Sequence, residues 1–139
     1  MVNTHQLAHA SFLIAGDTLV PEFWTSYLGV TPDTTIVKGQ PFTTPSGRLS
    51  SVPGRVGIWG MKSKTAVQSD ALEPHLRYLI ARLRFPVADL RAQLEQQEAR
   101  ARFFCFWNNY EGNRTPEVPE DIRRMCEAMG VAIEIDEYR

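Results

Sequence analysis

The chain has 139 residues, room for one domain with its own core. Hydrophobic residues make up 43% and charged residues 22%, ordinary globular usage that excludes a disordered, collagen-like or coiled-coil chain. Net charge is −1, so no global field points to nucleic acid or an anionic membrane, and two cysteines, Cys105 and Cys126, are too few for a disulfide framework.

In chain order, Ala8, Ala10, Phe12 and Ile14 alternate with His9, Ser11 and Leu13, the period of a half-buried strand. Gly16-Asp17-Thr18 is turn chemistry, and Pro21-Glu22 opens a short helix whose stripe is Phe23, Trp24, Tyr27 and Leu28. Gly29 ends it as a left-handed cap. Thr34 to Val37 is a short β-branched strand. Residues 38–54, rich in Pro and Gly, are either a β-hairpin arm or a mobile functional loop. Arg55 to Met61 returns to strand, with Val56 and Ile58 opposite Gly57, Trp59 and Met61. Ser69 to Leu83 is the strongest helix, with Leu72, Leu76, Leu79, Ile80 and Leu83 on one face, a loose first turn and regular helix from about Pro74 onward. Pro86 starts another, with Val87, Leu90 and Leu94 inward.

Arg102 to Tyr110 is apolar on both faces, which predicts a strand central to its sheet or covered on both sides. After the polar turn Asn108 to Thr115, Pro119 starts a helix with Ile122, Met125, Cys126 and Met129 inward. Gly130 caps it, and Val131, Ile133 and Ile135 alternate with Glu134 and Asp136 in a last strand. The two ends share a grammar, since Val20-Pro21-Glu22 to Leu28-Gly29-Val30 is echoed by Val118-Pro119-Glu120 to Met129-Gly130-Val131. We expect a single α+β domain over residues 1–139. It has a mixed or antiparallel sheet with helices on one face, ferredoxin-like, with two β-α-β units around a helical middle.

The strings ASFLIAGD, PEFWTSYLGVTP and VKGQ, the lone Trp59 and MGVAIEIDEY together resemble the bacterial family known as domain of unknown function 4279, from about Ala10 to Tyr138. These motifs punctuate a fold and carry no settled catalytic residues. One departure is Val20, where an Asp-type cap is expected, at a cost of about 1 kcal/mol. The resemblance implies a small single-domain bacterial protein of the kind that includes immunity proteins encoded beside toxins.

Chemical motifs are sparse. GxGxxG, Walker, GxSxG and HExxH patterns are all missing from the chain. His5 and His9 have zinc half-site spacing, but the second falls in a strand, and no metal site or cofactor is expected. Cys105, between Phe104 and Phe106, and Cys126, on an inner helical stripe, read as core thiols. Trp107, Asn108, Asn109, Tyr110, Glu111 and Arg114 have the composition of an interface hot spot. They equally read as a core tryptophan followed by an Asn-Gly turn.

Residues 103–139 carry eight acidic and four basic side chains, with Glu117, Glu120 and Asp121 at the last helix. Such a surface suits a cationic protein groove, and also reads as ordinary polar outer faces. Lys38 and Arg48 lie on the Pro/Gly arm. The leading expectation is a non-catalytic module, an immunity protein that blocks a cognate toxin. The alternative is a small-ligand or nucleotide-binding regulatory domain built around Lys38, Arg48 and Trp59. An exposed sheet edge also allows a homodimer. The N-terminal stretch lacks a basic region and its apolar run is broken by His9 and Ser11, so no signal peptide, no membrane span and a cytoplasmic location are expected.

Overall fold

A computed structural model describes residues 7–44 and 46–139. The chain runs β1 (Ala8–Gly16), α1 (Pro21–Leu28), β2 (Thr34–Ile36), β3 (Gly57–Lys62), α2 (Leu72–Leu83), α3 (Leu90–Gln96), β4 (Arg100–Asn108), α4 (Glu120–Met129) and β5 (Val131–Tyr138). The five strands form one mixed sheet in the order β2-β3-β1-β4-β5. β1 is antiparallel to both β3 and β4, β2 is antiparallel to β3, and β5 runs parallel to β4.

Alternation in β1 sends Ala8, Ala10, Phe12 and Ile14 into the core. There they meet Trp59 and Met61 of β3, Phe103 and Cys105 of β4, and the inner stripes of the helices, including Trp24, Leu76, Leu90 and Ile122. Phe12 is the hub, with its ring edge-on to Trp59 and Phe85 and tilted against Phe103. The opposite face, carrying His9, Ser11, Leu13, Arg102, Phe104 and Phe106, is half-buried and has no helix over it among the described residues.

Of the two readings of the apolar run, the interior strand holds: Arg100–Asn108 lies inside the sheet, with helices over one of its faces. Phe104 and Phe106 are shielded instead by their neighbours, Arg102 lying over Phe104 at 5.2 Å and His9 stacking on Phe106 at 4.6 Å. α2 starts at Leu72 and not at Ser69, whose hydroxyl accepts a hydrogen bond from the Ala71 N–H at 3.1 Å. Pro74 then falls in the first turn, where a backbone donor has no intrahelical acceptor to lose. α3 starts at Leu90, well after Pro86, because the intervening backbone is used elsewhere: the Val87 N–H points to Met129 Sδ at 3.4 Å and the Leu90 N–H to Val87 O at 3.2 Å.

The two echoed units are not spatially equivalent. Both α1 and α4 end on left-handed glycines, Gly29 (φ 68°) and Gly130 (φ 74°). However, β3 lies between β1 and β2, whereas β4 and β5 are neighbours. The described residues of 38–54 form an arm with two isolated bridges, Thr43 opposite Leu49 near its tip and Lys38 opposite Gly54 at its base, and with backbone bonds from Ser50 N–H to Phe42 O and from Thr44 N–H to Arg48 O, both 2.7 Å.

Candidate functional site

The end of the sheet at which β4 and β5 finish gathers most of the side chains singled out from sequence, in two layers. The inner layer is structural. Trp107 is 4% exposed and belongs to the core, and the Arg114 guanidinium lies 3.9 Å above its ring. Arg114 is turned inward: Nη1 donates to Asn108 O at 2.7 Å and Nη2 to Asp70 O. Asn109 is 3% exposed, and its side chain closes the turn. Oδ1 accepts the Arg114 N–H at 3.0 Å, while Nδ2 donates to Arg114 O and to Glu137 Oε2, both at 2.9 Å. Asn108 Oδ1 accepts the Tyr110 N–H at 3.2 Å. Three of the residues with interface composition therefore act inward, holding the other members of the turn in place.

The outer layer faces solvent. Tyr110 is 69% exposed and Tyr138 43%. Tyr138 leans on Phe106 with ring centroids 5.2 Å apart, and Phe106 is stacked on His9, so the aromatic surface is continuous from β1 to β5. The Asp136 carboxylate beside its hydroxyl, and then Tyr110 nearby, hold the Tyr138 phenol above its ordinary range. Glu111 is exposed next to Tyr110. The Glu137 carboxyl is held below the usual carboxylate range by Asn109 first and Arg139 second. Burial, followed by the charges of Lys64, His75 and Lys62, pulls His9 down to about 4, so its ring is neutral around pH 7.

The remaining predicted residues lie elsewhere. Asp121 is exposed on α4 and ion-paired: Arg77 grips it with two hydrogen bonds, of 2.7 and 3.1 Å, and holds its carboxyl low. Glu120 pairs with Arg124 at 3.2 Å along α4. Glu117 is exposed on the approach to α4, lining a cavity of about 430 Å³ with Glu73 and Arg123. Arg48 is exposed on the arm, which leaves the opposite edge of the sheet at its opposite end, so it does not join the Tyr110 and Tyr138 surface. Trp59 offers no surface to a site shared with Lys38 and Arg48. Trp59 is wholly buried with Nε1 donating to Thr25 Oγ1 at 3.0 Å, and Lys38 pairs with Asp17 at 3.1 Å.

His5 lies outside the described residues, and among the described residues no cluster of three His, Cys, Asp or Glu could hold a metal ion. Burial pushes the Cys105 thiol up to about 12 and the Cys126 thiol up to about 11, far from a nucleophilic range.

Sequence reasoning missed a buried polar clasp. Ser63, just after β3, and His75, on α2, are both fully buried. His75 Nε2 donates to Ser69 O at 2.8 Å, which leaves Nδ1 to accept the Ser63 hydroxyl at 2.7 Å. Ser63 Oγ also accepts the Ala10 N–H at 2.9 Å, extending the β1–β3 ladder by a side chain. A serine–histidine pair with no exposure has no route to a substrate, so its chemistry is that of a fastener. The signal was present in the sequence, since His75 stands three residues after Leu72 and one before Leu76, on the inward face.

No helix among the described residues is long and apolar enough to cross a membrane. Comparison with curated proteins and with solved structures found no match. A family model matches residues 5–139, essentially the whole chain, and the protein therefore belongs to the family described as Domain of unknown function (DUF4279).

Proposed function

We propose that this protein is a non-catalytic protein-binding module of the immunity type, which neutralises a cognate bacterial toxin by covering a cationic surface on it. One observation carries the reading: Tyr138 stands exposed on an aromatic shelf of Phe106 and His9 with Asp136 on the same face, and the exposed Tyr110 and Glu111 follow at the end of β4. Tyrosine supplies large contact area at small entropic cost, and an acidic rim steers a basic partner. The locked Asn109–Arg114 turn beneath supports it, because a rigid platform loses little freedom on binding. The order β4-β1-β3-β2, antiparallel throughout, supports a ferredoxin-like core to which α4 and β5 add a parallel edge. Two buried free thiols fit a reducing cytoplasm.

The test is affinity purification of the tagged protein from its native host, beside Tyr110→Ala/Tyr138→Ala and Glu111→Lys variants. A stoichiometric partner that is toxic when expressed alone, retained by the wild type and lost from the variants, is the expected result. Recovery of no partner from cells that express the neighbouring genes refutes the reading.

A second reading, a small-ligand domain, draws on a cavity of about 830 Å³ at the other end of the sheet, where Arg91, Arg100 and Arg102 face Glu95, Glu98 and Glu134. Thermal stabilisation by an anionic metabolite, lost in Arg100→Ala, would favour it.

A further inference from the structure

The sheet ends in two unlike edges. On one side β2 is three residues long and leads into the arm, whose Gly54 lies so close that an added Cβ would sit 2.5 Å from Ile36 Cγ2. On the other side β5 is eight residues long and, among the described residues, is paired only to β4, with its second edge outward. An unpaired edge of that length is a template for another strand.

The side chains on β5 specify which strand. Its register with β4 places Glu134 beside Phe104, Asp136 beside Phe106 and Tyr138 beside Asn108, so these three share the open face of the sheet. Ile133 and Ile135 point to the helical side and remain only half-buried, unlike the apolar side chains that β1 and β4 send to that side. Acidic and apolar side chains thus alternate along the exposed margin.

That pattern opposes a second copy of the chain. Continuing the sheet across a two-fold axis normal to it keeps each face in register, so a residue must oppose itself or one an even number of positions away. The two registers that use most of β5 are centred on Glu134 and on Ile135. The first sets Glu134 against its own equivalent. The second sets Glu134 against Asp136 of the other copy. Like charges directly opposed across strands are destabilising. Arg102 neutralises Glu134 from the β4 side at 2.7 Å, but Asp136 has no such cation beside it on β4.

We infer that the β5 edge takes up an extended segment of a partner in which Lys or Arg alternates with apolar residues, by addition of a sixth strand. Basic side chains oppose Glu134 and Asp136 on the open face, and apolar ones extend the half-covered Ile133 and Ile135 on the other. Main-chain hydrogen bonds supply attachment, and the alternation supplies selection. This mode rests on the protein-binding reading above and names how the partner is held.

The probe is a blocked peptide alternating valine and lysine, with its glutamate-for-lysine counterpart as control, added to the full chain. Amide exchange across Val131–Tyr138 is expected to slow about tenfold when the lysine peptide is near ten times its dissociation constant, and to be unchanged by the glutamate peptide. No slowing, or equal slowing by both peptides, overturns the inference.

Sedimentation supplies the second arm. The wild type is expected to be monomeric, and Asp136→Lys, which sets lysine against Glu134 in the register centred on Ile135, is expected to dimerise. A wild-type dimer with β5 protected overturns the choice of occupant. A toxin partner that depends on Tyr110 and Tyr138 but leaves the β5 amides exchanging freely refutes the strand mode while the module reading stands. Protection by the peptide with no partner ever captured has the opposite consequence.

Discussion

Replacing Ser63 with alanine removes one hydroxyl and strands two buried groups at once, the Ala10 N–H and His75 Nδ1. A buried donor or acceptor left without a partner costs about 1–3 kcal/mol, so Ser63→Ala is expected to cost about 3–4 kcal/mol in all. His75→Phe should be milder. The ring volume is nearly kept, and the Ser63 hydroxyl can turn to Ala10 O, 3.0 Å away. Only Ser69 O, in a part-buried position, loses its donor, for about 1–2 kcal/mol. In the double variant the penalty at Nδ1 disappears with the ring, so the two losses should sum to about 1.5–2 kcal/mol more than the double variant shows. The assay is urea unfolding at pH 7 of all four proteins, with unchanged m-values confirming that stability alone has moved. A Ser63→Ala cost below about 1 kcal/mol, or additivity within about 0.5 kcal/mol, would refute the assignment of Ser63 as the double-sided fastener.

Acid should destabilise the fold through His9. Its folded value of about 4 lies below the ordinary histidine value of 6.5, so the unfolded chain takes up the proton first and stability falls as pH drops from about 6.5 to 4. With the half-exposed ring discounted for solvent screening the loss is about 1–2 kcal/mol, and His9→Phe should remove that part of the pH dependence of the urea midpoint. Arg114→Lys keeps the charge but not the planar fork that reaches Asn108 O and Asp70 O over Trp107, so a loss of about 2 kcal/mol is expected by the same assay. Gly57→Ala should be worse tolerated than Gly60→Ala, because the new methyl would meet Gly16 O at 2.6 Å in the first case and the movable end of Leu13 at 2.8 Å in the second; equal thermal midpoints would refute this. Cys105 and Cys126 should resist a thiol reagent at pH 8 in the folded protein and react fully once it is unfolded.

Strand periods and glycine caps were legible because they are local. Phe12 alternates with Leu13 and Gly29 follows Leu28 whatever the rest of the chain does. The position of β3 between β1 and β2 was not legible, since it depends on a pairing of Leu13 with Gly60 far along the chain. The apolar run Phe103 to Trp107 correctly indicated an interior strand. Its outer apolar face goes without a helix because neighbours in the same sheet, His9 and Arg102, do part of the shielding that a helix would.

At the site, composition identified Tyr110 and Glu111 as surface. It could not separate them from Asn109 and Arg114, whose burial follows from the distant partners Glu137 and Asp70. Ser63 was invisible for the same reason, since nothing within a few residues of it announces Ala10 or His75.

The arm between β2 and β3 leaves and returns through one bridge, Lys38 to Gly54, with the Gly39 N–H donating to Gly54 O at 2.9 Å and the Gly54 N–H to Gln40 O at 2.9 Å. Its two ends are therefore already sutured, and nothing in the sheet needs the tip to have any given length. Doubling a flexible loop costs only about 0.6 kcal/mol. The segment between Gln40 and Gly54 is a cassette: it can be shortened to a plain turn, or opened to carry an epitope or a fluorophore, at the far edge from Tyr110 and Tyr138. A label placed there reports on binding at the other end of the molecule without standing in its way.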